Sequence, residues 1–394
     1  MDIAKEKLIS KRLIFLFLVL FPFGQIIRIN LSFLGPNIPL QPIDLIAGAS
    51  LFLLMIGHYK QPKLFNYVIA FLGASLFSYM LLFVIFKDNR VYIGGLYLLR
   101  LFVYSSFFLL AWNINRSEKG FKEILFNSLI LITFAVAVFG WLQYFLYPDV
   151  RNFVVWGWDD HLYRLFSTFL DPGFASIILV FGFLAGLTKY LHSKSRLLLI
   201  VLVILLGAAV FTYSRAGYLA LAGGLFTLAF LKKRLKQFFL VLGTILLIII
   251  LLPRPSGEGV KLERTFSIYS RLGNYSETLE IIQKSPLLGV GFNNMCLARE
   301  KYLKDADFSS HSCSGSDSSL LLVLATTGIV GFLIFSTLIY KVTLNLGKNV
   351  YANAFLACLV ALLIHSLFVN SLFYPWVMGW MALMLSISLK EVKE

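Results

Sequence analysis

The chain has 394 residues, of which 59% are hydrophobic, 16% aromatic and only 14% charged, and its mean hydropathy is +0.82. Soluble globular domains carry about 25% charged residues, so this composition excludes a cytosolic enzyme, a disordered chain and a secreted disulfide scaffold. The formal net charge is +15, and clustered positive charge can bind the phosphate backbone of nucleic acid. The basic residues, however, lie in short segments between apolar stretches, which argues against a nucleic-acid partner.

Apolar segments long enough to cross a bilayer recur along the chain. Hydropathy predicts about twelve spans, and hence an all-α, polytopic membrane protein. The predicted spans are 13–30, 41–57, 64–86, 91–113, 121–147, 168–190, 196–213, 215–231, 237–252, 318–340, 351–371 and 373–389. The first follows basic residues, as in a signal peptide, but it has no clear cleavage site and further spans follow it, so we expect a retained helix.

The loops between the spans predict an orientation in the membrane. Outside the longest loop, most Lys and Arg residues lie in segments on the same side as the amino terminus. Because positive residues in short loops resist translocation, we expect both termini to be cytoplasmic.

One long polar segment, 253–317, separates the ninth and tenth predicted spans and falls on the outer side. Loops of this length are usually functional or disordered. The sequence therefore predicts three parts: 1–252 with spans one to nine, 253–317 as an extracytoplasmic loop domain, and 318–394 with the last three spans. A second outer segment, 148–167, is rich in Trp, Tyr, Asp and Arg, and we expect chemistry on this outer face.

The outer loop is predicted to contain a helix. From 267 to 284, Tyr275, Leu279 and Ile282 recur at helical spacing on one face. Pro286 should end this helix, and the two glycines that follow favour a turn. Such an amphipathic helix would lie against the membrane surface or on the tops of the other helices.

Two of the three cysteines, Cys296 and Cys313, lie in the outer loop, and Cys358 lies within a span. Disulfides persist in oxidising compartments outside the cytoplasm. A Cys296–Cys313 disulfide is therefore a hypothesis, which the sequence leaves open because it does not determine their Cα separation. No Cys-x-x-Cys pair or His/Cys cluster indicates a metal.

Three outer arginines lie in contexts that suggest phosphate binding. Arg215 begins the eighth span after Thr-Tyr-Ser, Arg271 lies early in the outer helix, and Arg164 precedes a Ser-Thr-Phe-Leu-Asp-Pro-Gly segment. No ATP is present outside the cytoplasm, so a substrate there must arrive already activated. The planar guanidinium donates paired, charge-assisted hydrogen bonds, which suit a phosphate.

Several motifs occur in a definite order between about 160 and 335. They are Thr-Phe-Leu-Asp-Pro at 168–172, Ser-Arg-Ala-Gly at 214–217, Arg-Leu-Gly-Asn-Tyr at 271–275, Pro-Leu-Leu-Gly-Val-Gly-Phe-Asn at 286–293, and Asp317 followed by Gly328 and Gly331. Together with the span count and the long late outer loop, they resemble the O-antigen ligase and polymerase superfamily of bacterial envelope glycosyltransferases. Tyr275 stands where that family carries Trp.

The resemblance implies a metal-independent glycosyltransferase that needs no cofactor. Such enzymes transfer a glycan from undecaprenyl diphosphate to an acceptor sugar. A polymerase uses another lipid-linked repeat unit as acceptor, and a ligase uses lipid A-core. The implied partners are this donor, this acceptor and membrane lipid, and the implied location is the bacterial inner membrane with the active site facing the periplasm.

The same resemblance implies roles for individual residues. Arg215 and Arg271 would bind the diphosphate and stabilise the negative charge that develops on it as the leaving group. The remaining substrate-binding candidates are Arg164, Thr168, Asp171 and Tyr275 from these motifs and Arg100, which is chosen for its place inside a span and not by the resemblance.

The acceptor side of the resemblance leaves two choices open. Ligases carry His at the position that aligns with Asp317, and a carboxylate can also accept a hydroxyl proton. His311, six residues upstream, is the alternative general base. Register favours Asp317, and the missing His slightly favours a polymerase over a ligase.

Arg100 lies inside the fourth predicted span. An ionised residue at membrane depth is costly and usually faces a polar cavity or a partner. We expect Arg100 either to line an outward cavity or to pair with Asp44 or a backbone carbonyl.

Other interpretations compete with the enzyme. Arg215 and Arg271 could be interfacial anchors whose side chains reach towards water, and Asp317 could be a helix N-cap. A transporter or a flippase of lipid-linked glycan would also fit the span count, although the sequence shows no internal repeat of the kind common in transporters.

Overall fold

The computed structural model describes residues 3–30, 39–156, 158–255, 257–304, 306–308, 313 and 315–390, and these residues are predominantly helical. The longer elements are α1 (Ile3–Leu20), α2 (Pro42–Ile56), α3 (Phe65–Ile85), α4 (Tyr92–Ser117), α5 (Phe121–Leu146), α6 (Pro172–Ser193), α7 (Arg196–Val210), α8 (Arg215–Leu231), α9 (Leu235–Leu251), α10 (Phe266–Lys284), α11 (Met295–Ala298), α12 (Ser319–Leu344), α13 (Val350–His365) and α14 (Pro375–Ser388). Two short strands, β1 (Ile29–Asn30) and β2 (Pro39–Leu40), pair antiparallel. The all-α prediction is confirmed.

Among the described residues, five helices are long and apolar enough to cross a membrane. They are Phe65–Ile85, Asn89–Ser117, Phe121–Leu146, Pro172–Ser193 and Ser319–Leu344. Six shorter apolar helices accompany them: α2, α7, α8, α9, α13 and α14. This arrangement is that of a polytopic membrane protein. Twelve spans would require α1 and the six shorter helices to cross as well, and that number stays a prediction, as does the division into three parts.

The first helix differs from its predicted position. Hydropathy places a span at 13–30, whereas α1 runs from Ile3 to Leu20 and a 3-10 turn, Phe21–Phe23, follows it. Lys and Glu are good helix formers, so the charged start of the chain joins the helix even though it lowers the local hydropathy. Pro22 and Gly24, whose φ is +52°, end it.

The outer helix α10 begins and ends within one residue of its predicted limits. Its packed face is shifted, however. Thr278 and Ile281 are buried, whereas Leu279, which we expected on the packed face, is 48% exposed. The predicted face is therefore wrong by about one residue, because the helix packs through a small polar side chain as well as through apolar ones.

The segment after α10 docks into a break in α12. Gly328 leaves the helical conformation with φ of +64°, and Gly289 has φ of +73°. Val290 N donates to Ala325 O at 2.9 Å, and Ile329 N donates to Pro286 O at 2.9 Å. A Cβ on Gly289 or Gly328 would meet the backbone of the opposite segment, so these two glycines permit the close approach.

A hydroxyl from α3 completes this junction. Ser78 Oγ lies 2.6 Å from Thr326 O and 2.8 Å from Leu288 O, so its single hydroxyl proton can be donated to a carbonyl on either side of the junction. The break in α12 is thus stabilised by specific contacts. It anchors the loop after α10 to α12, the helix that begins just after Asp317.

The apolar core lies around α6, which packs against α5, α7, α8 and α13. Trp380 of α14 is fully buried and stacks on Phe181 of α6 with ring centres 4.8 Å apart. The amino-terminal ends of α6, α8 and α12 meet at one end of this bundle, beneath α10.

Candidate functional site

A polar cavity of about 280 Å³ lies where these helix ends meet. We call it the arginine cavity. Its lining residues are Asp159, His161, Arg164, Asp171, Pro172, Gly173, Ser214, Arg215, Ala216, Arg264, Ser267, Arg271, Asp317, Phe368 and Val369. The fold thus gathers into one site side chains that lie as far apart in the sequence as Asp159 and Val369.

Arg215 is the first residue of α8. Ser214 caps this helix by accepting a hydrogen bond from Gly217 N at 3.2 Å. The Arg215 guanidinium donates to Leu262 O and Arg264 O, both at 3.1 Å, and to Ser267 Oγ at 2.6 Å. Arg215 therefore also fastens the start of α10 to α8.

Two further arginines, Arg164 and Arg264, donate to backbone carbonyls beside the cavity. Arg164, which is only 9% exposed, donates from Nε to Thr212 O at 3.0 Å. Arg264 donates to Lys261 O at 2.9 Å and to Gly259 O. Burial lowers the pKa of Arg164 to about 10, with a further effect from Arg264. Burial lowers the pKa of Arg264 to about 10 as well, helped by Arg215 and Arg271.

Arg271 is the least committed of these side chains. It lies in α10, is half-buried and faces the cavity. Within the described part of the chain its guanidinium makes no hydrogen bond and no ion pair. Its donors are therefore available to a ligand.

The charges around the cavity are not paired with one another. Among the described residues, four arginines line it, together with Asp159, Asp171 and Asp317, and none of these carboxylates forms an ion pair with any of the four. Guanidiniums that are satisfied by neutral carbonyls keep their full charge. The cavity therefore has the electrostatics of an anion site.

Asp317 lies directly before α12. Its backbone N–H donates to Asn274 Oδ1 of α10 at 2.9 Å. Its carboxylate has no hydrogen-bond partner among the described residues. Burial raises the pKa of this carboxyl group, while Arg271 and Arg299 oppose the change. The N-cap interpretation is wrong for Asp317, because Ser318 caps α12 by accepting from Leu321 N.

The middle of the chain is similar to a known protein family. Residues 200–336 match the family model described as O-antigen ligase. This confirms the resemblance to the O-antigen ligase and polymerase superfamily. The match covers about a third of the chain and includes Arg215, Arg264, Arg271 and Asp317. No curated protein matches the chain.

Other candidates from the ligase-like motifs lie in different surroundings. Asp171 lines the cavity and caps α6 by accepting from Phe174 N at 2.8 Å. Thr168 lies outside the arginine cavity, and its hydroxyl donates to Pro22 O at 2.7 Å. The Tyr275 hydroxyl donates to Leu367 O at 2.6 Å, so it fastens α10 to the end of α13. His311 lies outside the described residues.

Arg100 does not line the arginine cavity. Its guanidinium donates to Asp44 Oδ2 at 2.7 Å, and Tyr104 donates to the other carboxylate oxygen at 3.2 Å. Of the two arrangements that the sequence allowed, the structure has the pairing with Asp44. The expectation that Arg100 lines an outward cavity is not met by the arginine cavity. The counter-charge of Arg100 is Asp44, which lies in the neighbouring helix α2.

The sequence analysis missed three residues that line the cavity: Asp159, His161 and Arg264. Arg264 had one local signal. It lies just before the start of α10, where the helix dipole disfavours a cation. A positive charge at such a position indicates a purpose other than stabilising the helix. Asp159 and His161 lie in a loop without periodicity, so only tertiary structure brings them to the site.

Asp159, His161 and Asp171 could hold a metal ion, since one ligand atom from each lies within 4.8 Å of the others. His161 is 6% exposed, and its Nε2 has no hydrogen-bond partner among the described residues. Burial, and next the positive charge of Arg164, lower the pKa of His161 to about 3. That same positive charge opposes a bound cation. Independence from metals stays a prediction.

The two cysteines of the outer loop are joined by a disulfide bond. Cys296 and Cys313 form a disulfide with Cα atoms 4.8 Å apart. Arg299 donates to Cys313 O and to Glu277 of α10. The disulfide and this arginine together connect α11, α10 and the segment that leads to Asp317.

Proposed function

We propose that this protein is a glycosyltransferase of the O-antigen ligase and polymerase type in the bacterial inner membrane. It transfers a glycan from undecaprenyl diphosphate to an acceptor sugar on the periplasmic face, where the acceptor is a lipid-linked repeat unit or lipid A-core. The observation that carries this proposal is the set of unpaired arginines around one cavity, within a chain whose middle matches the O-antigen ligase family.

The arginine cavity suits a diphosphate leaving group. As the bond between the anomeric carbon and the diphosphate oxygen breaks, negative charge grows on the terminal phosphate. Guanidiniums that are already in place stabilise this charge more than they stabilise the substrate, which is the condition for raising the rate. Arg271 and Arg215 are the two that would contact it, and Arg164 and Arg264 would add to the positive potential.

Asp317 is the group we assign to the acceptor. The acceptor hydroxyl oxygen forms the new bond to the anomeric carbon, its proton passes to the Asp317 carboxylate, and undecaprenyl diphosphate leaves. A raised pKa suits a general base, because it makes the carboxylate more basic. Asn274 would hold Asp317 in position through the backbone hydrogen bond.

The test is turnover by the purified chain in detergent. With an undecaprenyl-diphosphate-linked repeat unit we expect longer lipid-linked chains, and with lipid A-core added we expect its modification if the protein is a ligase. Transport requires a sealed vesicle and transfer does not. Activity that appears only as glycan movement across a vesicle membrane would replace this proposal with a flippase.

A further inference from the structure

A second cavity, of about 510 Å³, lies next to the arginine cavity. Aromatic side chains form much of its wall, including Phe139, Tyr147, Trp158 and Phe166. We call it the aromatic cavity. Arg28, from the segment after α1, also lines it.

Residues that are consecutive in the sequence line the two cavities. Trp158 lines the aromatic cavity and the next residue, Asp159, lines the arginine cavity. Leu170 and Asp171 are divided in the same way. Since consecutive Cα atoms are about 3.8 Å apart, the two cavities are neighbours.

Arg28 is held in place by an aromatic ring rather than by a carboxylate. Its guanidinium carbon lies 4.8 Å from the centre of the Trp158 ring, a distance typical of a cation–π contact. Its donors make no hydrogen bond and no ion pair with any described residue, although the side chain is half-buried. The guanidinium donors of Arg28 are therefore available to a ligand that supplies oxygen atoms.

We propose that the aromatic cavity binds a pyranose ring of the glycan. One face of such a ring presents C–H groups, which the negative face of an aromatic ring attracts. Its rim presents hydroxyl oxygens, which can accept hydrogen bonds from Arg28. A hydrocarbon chain would leave the guanidinium without acceptors, and a free phosphate would leave the aromatic wall uncovered.

This assignment rests on the proposed function, because the diphosphate in the adjacent cavity explains why a sugar would lie here. The ring belongs either to the donor glycan, next to the diphosphate, or to the acceptor. The chemistry of recognition is the same for both.

The experiment uses the full-length protein in detergent and saturation-transfer NMR with methyl pyranosides of glucose, galactose, N-acetylglucosamine and rhamnose. We expect transfer from aromatic protons to the C–H protons of at least one sugar. Trp158→Leu and Arg28→Gln should each weaken binding about two- to tenfold, as is typical for the loss of one aromatic or cation contact. Their matched controls are Phe145→Leu and Arg151→Gln, which lie at the same end of the molecule outside the cavity, and both should bind as the wild type does.

Further outcomes separate this proposal from the function on which it rests. Arg271→Lys should keep the sugar signal while losing transferase activity. Sugar binding without turnover would retain the aromatic cavity and reject the transferase. No saturation transfer in the wild type, equal signals in Trp158→Leu, or displacement of the sugar by undecaprenol would overturn the sugar site. In an active preparation, a higher KM of Trp158→Leu for the donor or for the acceptor assigns the ring to that substrate.

Discussion

Arginines in two regions of this protein are held in contrasting ways. Arg100 lies against the carboxylate of Asp44, 2.7 Å away, and Tyr104 donates to the same carboxylate. The arginines of the arginine cavity instead donate to neutral carbonyls or, in the case of Arg271, to no described residue. An arginine that is already neutralised contributes to folding, whereas a group of arginines that keeps its charge is ready for an anionic ligand.

The largest effect that tests this contrast is on stability. Asp44→Asn keeps the shape of the side chain but leaves Arg100 without a counter-charge. Removing one partner of a buried pair costs about 3–5 kcal/mol, so we expect a large fall in the thermal unfolding temperature in detergent.

The control for that variant is Asp149→Asn, whose ion pair with Arg151 is exposed. It should unfold close to the wild-type temperature, since exposed ion pairs contribute little. Equal, small changes in both variants would mean that Asp44 does not compensate Arg100.

The next largest effect is on turnover, and it concerns the arginines of the arginine cavity. Arg271→Lys keeps the positive charge and loses the paired donor geometry. Loss of one preorganised donor lowers turnover about 10²–10³-fold, and we expect unchanged unfolding because Arg271 has no partner to lose among the described residues. Arg151→Lys is the matched control. Near-wild-type turnover of Arg271→Lys would reduce Arg271 to a surface charge.

A smaller effect is expected in the scaffold that brings α10 and α12 together. Gly328→Ala places a methyl group against the backbone of Leu287 and keeps a positive φ. Strain of this kind costs about 1–3 kcal/mol. Gly243→Ala in α9, where nothing lies within 4 Å, should be neutral or slightly stabilising. If both variants melt alike, the docking of this loop is not tight.

The smallest expected change is in the pH profile. A general base acts when it is deprotonated, so turnover should fall as the pH drops through the pKa of Asp317. Because burial raises this pKa, the acidic midpoint should lie above 3.8. Arg271 opposes the rise, so the residual activity of Arg271→Gln should show a midpoint at still higher pH, while Arg151→Gln should match the wild type.

Much of the fold was open to prediction, because apolar stretches and helix-ending residues act locally. The outer helix and the turn at Gly289 and Gly291 follow from such signals. The start of α1 was not predicted, since hydropathy ignores the helical preference of charged residues. A sequence motif also does not show which groups its residues contact in the folded protein. Thr168 and Tyr275 donate to backbone carbonyls, whereas Arg264 joins the cavity without belonging to any motif that we recognised.

The most direct test of the arginine cavity is the affinity for undecaprenyl diphosphate, measured by thermophoresis with undecaprenol as the uncharged control ligand. Hydrogen bonds to charged groups contribute about 1.5–3 kcal/mol, so Arg271→Gln should bind the diphosphate about tenfold more weakly or worse, while Arg151→Gln binds it normally. Undecaprenol should bind all three proteins alike. Unchanged affinity of Arg271→Gln for undecaprenyl diphosphate would contradict the assignment of this cavity to the leaving group.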